Sequence, residues 1–243
     1  MKKNNIFNSK FDTILQQSLN WVIPEKCIDC NRAIKSNDTC ICDICYPKLP
    51  FLDNACQHCG QPFNANADIC GRCIKSSPIY DQCFYAFKYE YPIDKQICQF
   101  KYSERPELAK PIAKLLYHEI KQHYLPTPEL LIPVPVHTRK LRERGFNQSL
   151  LLTKILSSLT GIPYANSIDK YRHTSPQAQQ TLKQRHNNIK NSFRLNTKIN
   201  AKHVAIIDDV ITTGATVSEI SKILQKNGVD YIQVWGVAHT LQL

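Results

Sequence analysis

The spacing of apolar residues changes period several times along residues 79–243. The run CFYAFKYEY, from Cys83 to Tyr91, alternates and is rich in aromatics, which predicts a strand or one arm of a hairpin. IDKQICQFKY and PELAKPIAKLLYHEIKQHY then predict two helices, the second with Leu108, Ile112, Leu115, Leu116 and Ile120 on one face and Pro106 at its first turn. Pro111 either kinks that helix or marks its true start. LLIPVPV follows as a buried strand ended by its prolines, and NQSLLLTKILSSLTG as a helix closed by Gly161. Val204-Ala205-Ile206-Ile207 is short, continuous and mostly β-branched, as in a strand covered on both faces. From Val217 the positions Val217, Ile220, Ile223 and Leu224 return to helical spacing, with Gly228 near the stop. YIQVWGVAHT supplies a last strand, with Trp235 expected in the core. Alternating strands and helices of this kind predict an α/β fold with a parallel, doubly wound sheet.

Two segments break the pattern. HTRKLRERGFNQS, after LLIPVPV, reads as a turn in which Arg139, Lys140, Arg142 and Arg144 outweigh Glu143 at the carboxyl end of a strand, the expected place for an anion. RHTSPQAQQTLKQRHNNIKNSF has no clear period and is rich in Gln, Arg, His and Asn, which predicts a long mobile loop able to close over a ligand.

Ahead of residue 79 the pattern is different again. Ile6, Phe7, Phe11, Ile14, Leu15, Leu19 and Val22 predict a short amphipathic helix over residues 1–25, packed on the body of the protein. Residues 26–78 carry few large apolar side chains but most of the eleven cysteines. Four C-x-x-C pairs stand out: Cys27/Cys30, Cys42/Cys45, Cys56/Cys59 and Cys70/Cys73, with CIDCNRAI and CQHCGQPF opening the two halves alike. A C-x-x-C turn points two thiolates at one tetrahedral centre, so two such turns close a four-thiolate zinc site and the segment reads as two tandem zinc ribbons. A segment this poor in apolar residues also needs such staples. Disulfides or a redox pair are the alternatives; nothing in the sequence exports the chain, and redox C-x-x-C motifs come singly. Cys40 would break the spacing as a ligand, His58 is expected to face solvent, and Cys83 and Cys98 are expected to be buried.

Composition bounds the function. Hydrophobic content of 42% supports a core, while no apolar run approaches a membrane span and the first residues lack a signal-peptide centre, which predicts a cytoplasmic protein without membrane insertion. The net charge of +11 is compatible with nucleic acid, although an excess of lysine also serves solubility.

The chemistry concentrates in VAIIDDVITTGATVSE, residues 204–219. A strand that ends in a turn and enters a helix offers unpaired N–H groups to an anion. Thr212, Thr213 and Thr216 add hydroxyls, and Gly214 lets the backbone curl around a phosphate. Asp208 and Asp209 would repel a bare phosphate, so they imply ribose hydroxyls or a divalent cation in the same ligand; otherwise the segment is an ordinary capped turn. The chain has neither a G-x-x-x-x-G-K-[ST] P-loop nor a G-x-G-x-x-G fingerprint.

The string AIIDDVITTGAT resembles the phosphoribosyl-pyrophosphate (PRPP) loop of type I phosphoribosyltransferases. With the C-x-x-C pairs, FKYSERPELA, PVPVHTRKLRERGFNQ and TSPQAQQTLKQRHNN, the chain from Cys27 onward resembles the ComF family of competence proteins and its GntX-like relatives. The resemblance implies a double zinc ribbon over 26–78 with two structural zinc ions, and a phosphoribosyltransferase-like domain over 79–243. It implies that Asp208 and Asp209 hold the PRPP ribose, directly or through Mg²⁺, that Thr212, Thr213, Gly214, Ala215 and Thr216 wrap the 5′-phosphate, and that Arg139, Arg142 and Arg144 lie near the pyrophosphate. Gln177, Arg185 and Asn188 would complete a closed site, with Arg185 and the two aspartates as candidate catalytic residues. Three readings of function follow: a PRPP-binding accessory protein in uptake of single-stranded DNA during natural transformation, working with DNA-uptake machinery; an active phosphoribosyltransferase with an unknown acceptor; or a protein for which PRPP is a regulatory ligand.

Overall fold

Val204 to Ile207 offer no polar side chain to either face, and all four are fully buried at the centre of a four-stranded parallel sheet. The structure is a computed structural model that describes residues 26–34, 39–63, 67–102, 105–172, 189 and 191–241. The helix expected over 1–25 and most of the segment 172–193, with Gln177, Arg185 and Asn188, lie outside the described residues. The chain divides into two compact units, Met1–Lys48 and Leu49–Leu243. The first therefore carries one four-cysteine group, and the second carries the other together with the sheet.

The elements, in chain order, are α1 (Gly71–Lys75), β1 (Gln82–Lys88), α2 (Ile93–Tyr102), α3 (Ala109–Gln122), β2 (Leu130–Pro133), α4 (Thr138–Arg144), α5 (Gln148–Thr160), β3 (Ile168–Lys170), β4 (Phe193–Leu195), β5 (His203–Ile211), α6 (Ala215–Lys226) and β6 (Tyr231–His239). The strand order is β1-β6-β5-β2, with every pair parallel and Ile207 opposite Trp235. Successive residues of a strand face opposite sides. Val204, Ile206, Ile232, Val234 and Ile132 meet Val217, Ile220 and Leu224 of α6 in one buried cluster. Elsewhere α3 packs on α5, α3 touches β1 and β6, and α5 lies along β2 and β5. The sheet is doubly wound, as the alternation of elements predicts.

The two edges of the sheet are closed differently. Next to β1, Phe51 pairs antiparallel with Phe87, Leu52 N–H donates to the Ala86 carbonyl (3.2 Å) and Lys88 N–H to the Pro50 carbonyl (2.7 Å). Further along, Cys83 N–H donates to the Gln57 carbonyl at 2.6 Å, so the second cysteine ribbon covers the rest of that edge. At β2, Leu131 exchanges hydrogen bonds with Pro163 and Ala165.

Several expectations change. β1 is not a hairpin arm: it lies parallel to β6, and its five central residues are all buried because both faces are covered. The second predicted helix opens with a 3-10 turn at Pro106–Leu108 and becomes α-helical at Ala109, so Pro111 falls in the first turn, where its missing N–H costs nothing. The basic segment read as a turn contains α4, and β3 pairs with β4 in an antiparallel pair that the sequence pattern did not predict. Cys98 is exposed rather than buried, with its sulfur 3.3 Å from the Tyr89 hydroxyl; Cys83 is buried, and so is Trp235, whose indole N–H donates to Gln233 at 2.9 Å.

Candidate functional site

β5 runs into the acidic pair at its carboxyl end, and the chain then turns through Thr212, Thr213 and Gly214 into α6. Gly214 has φ +71°, a conformation that disfavours a side chain, and a Cβ there would stand 3.4 Å from the Tyr80 hydroxyl. Its carbonyl accepts from Ser218 N–H (2.9 Å), while Ala215 N–H reaches the Thr213 hydroxyl at 3.4 Å. Thr212 is exposed, Thr213 and Thr216 are half-buried and Ala215 is buried, so the turn offers hydroxyls and early N–H groups at one place.

Asp208 and Asp209 point to different supports. Asp209 is buried and accepts an ion pair from Lys101 Nζ at 2.9 Å. Asp208 is half-buried, accepts from the Ser149 hydroxyl at 2.7 Å and from Asp209 N–H at 3.0 Å. Burial, reinforced by the neighbouring Asp209 charge, pushes the Asp208 carboxyl up to about 7 despite the Ser149 bond and Lys101. Asp208 is thus poised between protonated and ionised near neutral pH, the condition under which a cation or a hydroxyl-bearing ligand shifts its charge.

The basic segment lies on α4, after β2 and therefore beside the end of β5. Arg139 is paired with Glu143 at 3.0 Å, and Arg142 is exposed. Arg144 lies 5.0 Å over the Tyr102 ring and donates to Gln148 Oε1 at 3.3 Å. Lys101 and Tyr102 are consecutive, so the end of α2 ties the acidic pair to Arg144. Lys140 and Lys170 are both shifted down, first by burial and then by neighbouring positive charge, Arg144 and Lys101 for Lys140 and Lys140 for Lys170. Lys101 thus meets Asp209 and Lys170 feels the Asp208 charge, with Lys140 and Arg144 gathered near Lys101.

The pattern of charges in the sequence did not single out Lys101, Ser149, Gln148 or Lys170. Lys101 does stand inside FKYSERPELA and Ser149 at the end of HTRKLRERGFNQS, and the polar triplet Asn147-Gln148-Ser149 opening an apolar helix is the signal available. Asn147 caps α5 by accepting from Leu150 N–H and ties it to the residue just after β2 by donating to the Val134 carbonyl (3.1 Å). Gln148 holds Arg144, and Ser149 holds Asp208.

The cysteines form two groups, Cys27-Cys30-Cys42-Cys45 and Cys56-Cys59-Cys70-Cys73, with the sulfurs of each group within 4.8 Å of one another. Backbone N–H groups aim at the sulfurs: Cys42 to Cys27 Sγ (3.5 Å) and Cys70 to Cys56 Sγ (3.3 Å). Burial opposes ionisation of Cys42 and Cys70, yet hydrogen bonds bring both down to about 7, while burial and their neighbours push Cys45 and Cys73 up. Four sulfurs this close, with N–H donors behind them, fit a tetrahedral dication that would take them as thiolates, and both groups are sites of the zinc-ribbon kind. Cys40 and His58 are in neither group.

A parallel sheet whose central strand ends in an acidic pair and a TTGAT turn, preceded by two four-cysteine groups, defines an α/β protein with a double zinc ribbon. Residues 18–74 match the family model described as a double zinc ribbon domain. Competence protein F of Haemophilus influenzae is 37% identical over 221 residues, 88% of this chain and 96% of that protein. DNA utilization protein YhgH of Salmonella typhi is 33% identical over 224 residues, 90% of this chain and 99% of that one. The chain belongs to the ComF family of competence proteins. Among solved structures, glutamine phosphoribosylpyrophosphate (PRPP) amidotransferase from B. subtilis, complexed with ADP and GMP, aligns at 19% identity with a TM-score of 0.38, over 56% of this chain and only 30% of that one. Among the described residues no helix is long and apolar enough to cross a membrane.

Proposed function

We propose that this protein is a PRPP-binding accessory factor of DNA uptake that acts on single-stranded DNA in the cytoplasm during natural transformation. The observation that carries the PRPP reading is the acidic pair at the end of β5 followed by the Thr212–Thr216 turn. In this reading Asp208 and Asp209 hold the ribose hydroxyls, directly or through Mg²⁺, and the turn takes the 5′-phosphate. Lys101 then exchanges Asp209 for the incoming ligand, while Ser149 keeps Asp208 in place. Arg144 and Lys140, gathered at the end of α2, stand ready for the pyrophosphate, and Arg139 and Arg142 extend that basic surface. Mg²⁺, when bound, would offset the charge of both the carboxylates and the pyrophosphate. Two structural zinc ions belong to the same reading.

The nucleic-acid part is supported by the names of the relatives, competence protein and DNA utilization protein, and by the net charge of +11. Neutralised phosphates release counterions, so single-strand affinity falls steeply with salt.

Calorimetry tests both parts. The variant with Asp208→Asn and Asp209→Asn keeps size and most hydrogen bonding, so it should fold but bind PRPP with Mg²⁺ at least about tenfold more weakly, roughly 1.4 kcal/mol. Unchanged PRPP binding would reduce the carboxylates to caps. Single-strand affinity that ignores salt would remove the electrostatic footprint. Steady pyrophosphate release that depends on an added acceptor would instead establish a transferase.

A further inference from the structure

A cavity of about 460 Å³ opens between the second cysteine ribbon and the turn that follows β5. Arg72 and Cys59 line it from the ribbon, Thr213 and Gly214 from the turn, and Tyr80 and His239 from the sheet side. Neither aspartate nor glutamate is among its lining residues. Besides the Gln61 amide and the Cys59 and Cys73 sulfurs, which belong to the ribbon, the polar side-chain groups are a guanidinium, hydroxyls and an imidazole, all able to donate to an anion. His239 is 3% exposed and stacks on Tyr85 with centroids 4.9 Å apart, yet its Nδ1 is buried with no hydrogen-bond partner. Burial and the Arg72 charge hold this imidazole down to about 4, so it is neutral at physiological pH and free to share a proton with a bound oxygen without adding charge.

Arg72 is the only fixed cation among the residues lining this cavity. It stands between Cys70 and Cys73, and its Nη2 donates to Cys59 Sγ at 3.6 Å. Three members of one four-thiol group therefore set its backbone and its side chain. An orphaned buried nitrogen, a guanidinium held by the ribbon and a helix start with a glycine turn converge on one space.

We propose that Arg72 is the cation of a phosphomonoester site whose opposite wall is the Thr212–Gly214 turn, so that the second ribbon takes part directly in phosphate binding. The inference rests on the reading of that turn as a phosphate cradle and deepens it: the ribbon is part of the ligand site as well as of the fold. The phosphate can arrive as the 5′ end of a phosphoribosyl ligand or as free phosphate, and the chemistry that recognises it is the same.

The test is calorimetry on the full chain with three probes: PRPP with Mg²⁺, ribose 5-phosphate and inorganic phosphate. Arg72→Ala should weaken all three by about tenfold or more, as expected for one lost charge-assisted hydrogen bond, and Arg72→Lys should recover part of the loss. Zinc content is measured on each variant, and Arg72→Gln replaces Arg72→Ala if the alanine variant loses metal. His239→Phe, which keeps the stack on Tyr85 and removes the nitrogen, should weaken ribose 5-phosphate by a smaller factor. If the parent binds PRPP and the zinc-loaded Arg72 variants bind it equally well, the inference is overturned and the PRPP reading stands. If the parent binds inorganic phosphate through Arg72 but not PRPP, the inference stands and the PRPP reading falls. If the parent binds none of the three probes, both fall.

Discussion

The two cysteine ribbons share a knuckle and differ in what surrounds it. In the first, Cys27 N–H donates to the Arg32 carbonyl (2.9 Å) and Asn31 N–H to the Cys27 carbonyl (3.0 Å); in the second, Cys56 N–H donates to Gln61 (3.0 Å) and Gly60 N–H to Cys56 (2.7 Å). Each is flanked by the same kind of isolated bridge, Lys26 with Ala33 and Ala55 with Pro62. The residue after the second cysteine is left-handed in both, Asn31 at φ 59° and Gly60 at φ 70°. Asparagine tolerates that conformation, so the first knuckle needs no glycine. The second does, because a Cβ on Gly60 would lie 2.1 Å from Cε2 of the Tyr85 ring in β1. Paired C-x-x-C turns, eleven residues apart in the first ribbon and ten in the second, thus specify metal sites of one kind and say nothing of what each site supports. The first belongs to the unit Met1–Lys48, while the second is built into the edge of the sheet.

Removing one ligand from each ribbon should separate the two most sharply. Metal analysis of the parent should give close to two zinc ions per chain, and Cys27→Ser and Cys56→Ser should each lose about one. A structural zinc contributes an apparent ~10–16 kcal/mol in small modules. Loss at Cys56 should therefore lower the melting temperature of the α/β unit markedly, since Cys83 N–H and Cys83 Sγ both lean on that ribbon through the Gln57 and Cys56 carbonyls. Loss at Cys27 should leave the cooperative transition of the α/β unit in place. Equal falls in the two variants would show that the ribbons are not distinct in this way.

A smaller effect isolates the knuckle without touching a ligand. Gly60→Ala has to displace the Tyr85 ring and accept a left-handed alanine, which should cost about 3 kcal/mol or more. Asn31→Ala meets only the backbone term, about 1 kcal/mol. Urea unfolding of the two variants, followed by circular dichroism and by zinc release, measures the difference. If Gly60→Ala costs no more than Asn31→Ala, the ring is not what fixes the glycine.

Much of this was legible in the sequence, because the ribbons, the central strand and the helix after the acidic pair carry strong periodic or spacing signals. Val204–Ile207 could only be a covered strand, and the four C-x-x-C pairs could only be grouped by spacing. What escaped was set by long-range packing. Nothing local to CFYAFKYEY says that its partner lies some 150 residues away in β6, since the register Phe84 with Trp235 emerges only when the sheet assembles. The basic segment looked like a turn because α4 buries no residue and so has no apolar stripe to read. The cations that reach the acidic pair, Lys101 and Lys170, come from α2 and β3, and charge counted within one segment could not find them. Cys98 shows the converse: its neighbours are apolar in sequence, but its own face of α2 is turned outward.

The smallest effect sharpens the comparison from the other end of the α/β unit, where no thiol is involved. Burial and the Asp209 charge raise the Asp208 carboxyl from its ordinary value of 3.8 to about 7. A group that holds its proton more tightly in the folded state stabilises the fold while protonated, fully below its unfolded value, and loses that contribution as pH rises through the folded value. Stability of the unit Leu49–Leu243 should therefore decline between about pH 4 and about pH 7 and level off above, by an amount on the order of 1 kcal/mol once partial exposure and the nearby Lys101 are allowed for. Asp208→Asn keeps an acceptor for the Ser149 hydroxyl and has no proton to lose, so the decline should vanish in the variant. Zinc thiolates also respond to acid, but they do so in parent and variant alike, and the difference between the two unfolding free energies removes them. Measured in urea at intervals from pH 5 to pH 8, that difference should grow with pH in favour of the variant. A difference that stays constant would mean that Asp208 does not titrate between pH 5 and pH 8, and its raised carboxyl would not hold.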